Sequence, residues 1–403
     1  MSSKKLAAYL AACILAVFLF SQWPAGVYIQ DNRQATNNAT LIGGPMVQIG
    51  NTDGIKSIVI TWRTLQPSSS RIDFGESSAN EQTIIVNEIT DRHAVVLRDL
   101  QPDTRYQYQV RSDNIVLAGE TFQTGKVGDT PFKFAVFGDS GSGEPQQYRV
   151  ARQMEQQNVD FVLHTGDLVY RRGADKDYPL RFYHPYKNLL ARIPFFPAIG
   201  NHDTRTANGQ PWLDNFVLPG EERFYSFSYG NAFFVALDSN RVNVNSARWL
   251  EAQLAGTGKL WKFVFFHEPP FSNHIERSGS AGVRRLWVPL FEKYNVDIVF
   301  SGHDHMYTRF KPRDGVAYVI EGLGGRSLSE ERPHANDVAF TDNSEYGFGL
   351  IDIAGPELVF RHMTANGNVL DTFTLKKHHS VATSLGMTPT VRARVCGSIP
   401  LEC

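Results

Sequence analysis

Apolar residues fall into two rhythms along the chain. From about Gly44 to Thr124 they come in short alternating runs, such as 57–62 (Ser-Ile-Val-Ile-Thr-Trp), 93–97 and 106–110, separated by Gly, Pro and Ser turns. Alternation with period two and no helical period predicts a small all-β sandwich. From Pro131 the rhythm changes. Largely apolar runs at 132–137, 159–164, 195–199, 232–237, 261–266 and 296–300 read as buried strands. Helical patterns fall between them at 146–157, 179–192, 246–254 and 283–294. Strands alternating with helices predict a largely parallel sheet covered on both faces. After His305 strands dominate again, at 316–320, 348–353, 358–362 and 369–375. Residues 125–130 read as a linker between the two regions.

The amino terminus follows neither rhythm. Lys4 and Lys5 precede an uncharged run, Leu6 to Gln30, whose apolar core is Leu6 to Phe20. It reads as an export signal, either cleaved or kept as an anchor. Leu10-Ala11-Ala12-Cys13 has the shape of a lipoprotein box, but the apolar run continues past Cys13, which favours Cys13 as part of that run. Residues 31–40 are a polar linker. The expected organisation is a signal or anchor at 1–30, a β domain at 44–124, an α/β domain at 131–376 and a tail at 377–403. The protein is expected to be exported, whether secreted, periplasmic or anchored facing outward, with membrane attachment through the amino-terminal segment left open.

Composition narrows the function classes. The 403 residues carry 40 Lys plus Arg against 41 Asp plus Glu. A net charge of −1 gives no overall basic footprint for nucleic acid, so no nucleic-acid partner is implied. The three cysteines, Cys13, Cys396 and Cys403, are too few for a disulfide scaffold and wrongly spaced for structural zinc. Export would permit a Cys396–Cys403 bridge.

The chemistry lies at the strand ends. Phe132–Phe137 runs into Gly138-Asp139-Ser140-Gly141, and 159–164 into Gly166-Asp167-Leu168-Val169-Tyr170. The 195–199 run leads to Gly200-Asn201-His202-Asp203. Trp261–Phe266 leads to His267-Glu268-Pro269-Pro270, and 296–300 to Gly302-His303-Asp304-His305. The carboxyl ends of strands in an α/β sheet share one edge, where ligands bind, so these side chains should converge. Two carboxylates, an amide, three imidazoles and a phenol suit iron, zinc or manganese, and suffice for two ions with a carboxylate bridging them.

The order Asp-x-Gly, Gly-Asp-x-x-Tyr, Gly-Asn-His-Asp, Val-x-x-His (Val264 and His267) and Gly-His-x-His resembles the calcineurin-like metallophosphoesterases. The tyrosine makes it similar, within them, to the purple acid phosphatases. The preceding β region resembles the amino-terminal domain of the larger members, and Leu100–Tyr106 resembles the corner before a late strand of fibronectin type III domains. The resemblance implies an α/β metallophosphatase sandwich, with mixed β-sheets flanked by helices, behind a small all-β fibronectin III-like domain. It implies an acid phosphatase that hydrolyses phosphate monoesters at an Fe(III) ion paired with a divalent Fe, Zn or Mn. Asp139, Tyr170 and His305 would hold the ferric ion, and Asn201, His267 and His303 the divalent one. Asp167 would bridge them. His202 would face the substrate as a proton donor, kept charged by the phosphate and the neighbouring Asp203 carboxylate. His274 is a further candidate for contact with substrate. A phosphodiesterase or nucleotide-cleaving enzyme on the same site is the alternative, and a surface-bound binding protein working through its β domain is the reading from another class. Substrate choice is expected in the loops 171–178, 204–220 and 272–282. His164 is expected to support the ligand loops from behind, and His184 to be a packing residue in an aromatic helix. Oligomeric state is left open.

Overall fold

The computed structural model describes residues 40–112, 115–333 and 336–377, together with the backbone of 394–396. The expected signal or anchor and the Cys396–Cys403 pairing lie outside the described residues. Among the described residues no helix is long and apolar enough to cross a membrane.

Residues 41–123 form five hydrogen-bonded strands, four in one path and the fifth, Gln82–Leu97, branching from Ile58–Gly75. Two of them, Ile58–Gly75 and Gln82–Leu97, are far longer than the alternating runs suggest. Register shifts between Arg63 and Ser70 bend the pair, so its two halves join different neighbours: Leu41–Gln48 at one end, Arg105–Ser112 at the other. The corner is present, since the Tyr106 hydroxyl accepts the Gln101 N–H at 2.9 Å. His93 is buried, stacked on Trp62 and bonded on both sides to the hydroxyls of Thr64 (2.9 Å) and Ser70 (2.7 Å).

The α/β region contains two seven-stranded sheets where the run pattern alone predicts one largely parallel sheet. The first has Phe132–Phe137, Phe161–His164 and Phe195–Pro197 in parallel, continued by the antiparallel strands Gly347–Ala354, Glu357–Thr364 and Val369–Lys376. The second has Ala232–Ala236, Trp261–Phe265, Ile298–Ser301 and Ala317–Glu321 in parallel, with antiparallel strands at both edges. Phenylalanines fill the space between them. Phe134 of the first sheet meets Phe234 and Phe263 of the second edge to face, at 5.3 and 5.4 Å between ring centres. The mixed-sheet sandwich implied by the family resemblance is therefore the one observed.

Two expected helices are broken by proline. In 179–192, Pro185 has no N–H to donate, and the chain takes a wide turn in which the His184 N–H reaches back to Pro179 before the helix His184–Leu190 begins. In 283–294, Pro289 splits the pattern into Ala281–Leu286 and Val288–Lys293. His184 is exposed, against Tyr148, instead of packed inside. Within the tail, Arg394–Cys396 adds a short strand beside Val369–Lys376.

The segment 125–130 is stitched down and does not behave as a loose linker: Gly125 donates to Gly54, and Gly230 to Lys126. One continuous apolar core runs through both regions, from Trp62 and Tyr108 to Phe195 and Phe216. Polar contacts tie the same surfaces. Arg63 and Arg92 both grip Asp175 at 2.9 Å, Asn215 adds a 3.0 Å bond to it, and the Tyr108 hydroxyl donates to Ala191 at 2.7 Å. Burial alone would raise the Asp175 carboxyl; hydrogen bonds from Arg63, Arg92 and Asn215 offset that and bring it down to about 2. Asp175 lies in the loop that follows Tyr170, so the β domain braces one wall of the site.

Candidate metal centre

Three parallel strand ends of the first sheet and two of the second meet at one edge. The loops there are interlocked by their backbones: Asp139 donates to Gly166 (3.0 Å), Tyr170 to Gly141 (2.9 Å) and Gly302 to His267 (3.0 Å). Two glycines are required by contact. A Cβ on Gly200 would lie 2.1 Å from Asp167 Oδ1, and one on Gly302 would lie 2.4 Å from Asp139 Oδ2. Asp139, Asp167 and His303 have φ of 56, 58 and 70°, the left-handed region that non-glycine residues seldom occupy. Such strain persists where surrounding structure enforces it, and here it turns three side chains inward.

The predicted side chains form two triads. In one, the Tyr170 hydroxyl donates to Asp139 Oδ1 at 2.9 Å and lies 3.2 Å from His305 Nε2, which is 3.4 Å from Asp139. In the other, His267 Nε2 lies 3.0 Å from Asn201 Oδ1 and 3.2 Å from His303 Nδ1. Asp167 touches both. Its Oδ2 is 3.4 Å from His267 Nε2, and it also interacts with the Tyr170 hydroxyl. Asp139, Asp167 and His267 are fully buried and offer ligand atoms within 4.8 Å of one another.

The hydrogen bonds behind these residues decide what they can hold. His267 Nδ1 meets the Thr165 carbonyl at 3.0 Å, and His305 Nδ1 meets that of Ser327 at 2.5 Å. A carbonyl only accepts, so each Nδ1 carries hydrogen and each Nε2 is turned towards the centre, where its own proton can give way to a metal ion. The electrostatics ask for a cation. Burial would lower the His267 pKa, but Asp167 and Asp139 outweigh it and push it up to about 10. The Tyr170 phenol is held protonated well above its usual range by burial and by the same two carboxylates. Protons stand where metal ions would take over the charge, and the donor set fits two of them.

His202 stands at the rim. Its Nδ1 donates to the Arg171 carbonyl at 2.8 Å, and its Nε2 lies 3.9 Å from Asp167. The Asp203 carboxylate, expected to keep this ring charged, faces the other way. It accepts the N–H groups of Asp167 and Gly200 at 2.9 Å, and those of Leu168 and Val169. Burial lowers the His202 pKa and Asp167, not Asp203, opposes that. His274 makes no hydrogen bond to the two triads; its Nδ1 accepts the Glu276 N–H at 3.1 Å within its own loop. His164 is buried and bonds Ser140 Oγ (2.9 Å) and the Gly166 N–H (3.1 Å), supporting two ligand loops as expected. Residues that sequence reading passed over also shape the site. Arg326 lies over the Tyr170 ring at 5.1 Å, and Arg277 joins the His303 carbonyl to buried Asp304.

Comparison with known proteins agrees with this geometry. The family model of calcineurin-like phosphoesterases matches residues 132–307, and that of the purple acid phosphatase N-terminal domain matches residues 45–124. Acid phosphatase type 7 of Mus musculus is 27% identical over 327 residues, covering 70% of this chain and 72% of its own. The Fe(3+)-Zn(2+) purple acid phosphatase 12 of Arabidopsis thaliana is 25% identical over 339 residues, covering 73% and 71%. A purple acid phosphatase structure from yellow lupin (Lupinus luteus) seeds shares the fold, with a TM-score of 0.74, 21% identity and coverage of 88% of this chain and 77% of that one. Fold and site define a metal-dependent phosphoester hydrolase of the calcineurin-like class. Within that class the chain belongs to the purple acid phosphatase family.

Proposed function

We propose that the protein is an exported acid phosphatase that hydrolyses phosphate monoesters at an Fe(III) ion and a divalent Fe, Zn or Mn. Asp139, Tyr170 and His305 would hold the ferric ion, Asn201, His267 and His303 the divalent one, and Asp167 both. The observation that carries this reading is the pair of triads joined by Asp167, with the Nε2 atoms of His267 and His305 aimed inward by backbone carbonyls. When bound, two such ions supply positive charge to the phosphoryl oxygens and lower the pKa of water. The chain's residues do the rest. Tyr170 and Asp139 favour a hard ion. His202, fixed through Nδ1 on the Arg171 carbonyl, presents Nε2 to the open face, where it can give a proton to a departing alkoxide.

The test is metal analysis beside activity on p-nitrophenyl phosphate and its bis ester. Two metals per chain, a visible phenolate-to-iron absorption that Tyr170→Phe abolishes, and faster turnover of the monoester are expected. A colourless, iron-free and fully active enzyme would overturn the iron assignment, and faster turnover of the bis ester would replace phosphatase with phosphodiesterase.

A further inference from the structure

A cavity of about 210 Å³ opens beside the second triad, between the turn after Trp261–Phe265 and the loop 277–280, with His303 in its wall. Its sides are fixed by hydrogen bonds. Ser280 donates to the Pro269 carbonyl at 2.7 Å, and Arg284 reaches the carbonyls of Pro270 and Ser278 at 2.6 and 2.7 Å. Arg332 holds the Arg277 carbonyl at 3.0 Å. The space equals about seven water volumes, enough for a short alkyl chain.

Charged side chains of both signs line it, and they are unequally satisfied. The Arg277 guanidinium is committed to Asp304 Oδ1 at 3.0 Å and to the His303 carbonyl at 2.5 Å. Asp304 is fully buried and also accepts the Ser272 hydroxyl at 2.5 Å. These two charges cancel. Glu268, which directly follows His267, is half-buried and lines the same cavity. Its backbone N–H is bonded to Ser239 Oγ, while its carboxylate makes no hydrogen bond or close ion pair among the described residues and feels the positive charge of His267 and Arg277 only at longer range. A half-buried carboxylate with no donor on its oxygens favours an occupant that brings a charged donor to it.

We propose that this cavity receives the alcohol portion of the phosphate ester, and that Glu268 selects esters whose alcohol carries an ammonium group, the aminoalkyl phosphates. The proposal rests on the phosphatase reading of the adjacent centre. It makes Glu268 a specificity residue, contacting the part of the substrate that does not react.

Two pairs of compounds test it on the metal-loaded protein. The first pair is 2-aminoethylphosphonate and propylphosphonate, which are not hydrolysed, with binding measured by calorimetry. The second is 2-aminoethyl phosphate and propyl phosphate, with kcat/KM measured. The ammonium compound of each pair should be preferred by roughly tenfold, the scale of one charge-assisted hydrogen bond. Glu268→Gln should reduce both preferences to about unity, and Glu268→Asp, which keeps the charge, should retain most of them. Equal binding and turnover by the wild type overturns the proposal, and so does a preference that survives Glu268→Gln. Because the wild type alone can refute it, a poorly folded variant does not shield it. If p-nitrophenyl phosphate is hydrolysed while the preference is missing, only this inference falls; if no ester is hydrolysed, the phosphatase reading falls and takes the inference with it.

Discussion

The Asp203 carboxylate accepts the backbone N–H of Asp167 at 2.9 Å. With the N–H groups of Leu168, Val169 and Gly200 it gathers two ligand loops around one buried side chain. Asp203→Ala would leave those donors buried without an acceptor, at about 1–3 kcal/mol for each one left unsatisfied. A loss of roughly 3 kcal/mol or more in denaturant melts is expected, with weaker retention of both metals. Unchanged stability and metal content would show that the clasp is dispensable.

The Asp167 carboxylate interacts with side chains of both triads, so Asp167→Asn should cost both ions. Asn201→Ala, which touches only the His267–His303 triad, should loosen mainly the divalent one. Metal analysis after gel filtration separates the two outcomes. Full occupancy in Asp167→Asn would remove its bridging role.

His202→Ala should keep both metals and lower kcat by about 10²–10⁴-fold on alkyl phosphates. Aryl phosphates release a better leaving group and should suffer less. With burial lowering the pKa of this ring, its protonated fraction falls as pH rises, so the alkyl-ester rate should decline on the alkaline side of the profile before the aryl-ester rate does. Equal losses on the two ester types would leave His202 no part in protonating the leaving group.

His93 gives the β domain an acid sensitivity of its own. Burial lowers its pKa to about 4 from the ordinary 6.5, against a smaller opposing effect of Asp91. Between those values the unfolded chain binds the extra proton and the folded one does not, so stability falls as pH drops from about 6.5 towards 4. The full effect is up to about 3 kcal/mol. Thermal melts of wild type and His93→Gln from pH 7.5 to 4.5, at saturating metal, should show a shallower acid loss in the variant. Parallel curves would exclude His93 as the cause.

The residues proposed as ligands could be picked out in sequence because they follow apolar strands, where a glycine or proline turn marks the strand's end. The double sheet was not. Its edge strands Tyr225–Tyr229 and Val338–Asp342 have half-exposed, mixed faces that read as loop, and nothing local says that Phe134 will pack on Phe234 instead of on a helix. Asp203 was legible as a carboxylate but not in its direction, which depends on donors more than thirty residues upstream. The Arg277–Asp304 pair is joined across 27 residues and carries no spacing signal.

The grip of Arg63 and Arg92 on Asp175, and the apolar core shared across that boundary, couple the two regions thermodynamically. A domain whose side chains lie far along the chain from every proposed ligand then gains stability from metal uptake. An ion at a hundred times its Kd adds about 2.7 kcal/mol to the folded state as a whole, and with no separate melting step the β domain shares in it. Calorimetry should record a single cooperative transition that moves upward with metal, and fluorescence from Trp62 should move with it. A β domain that melted by itself at a metal-independent temperature would mean that the boundary yields before the core does.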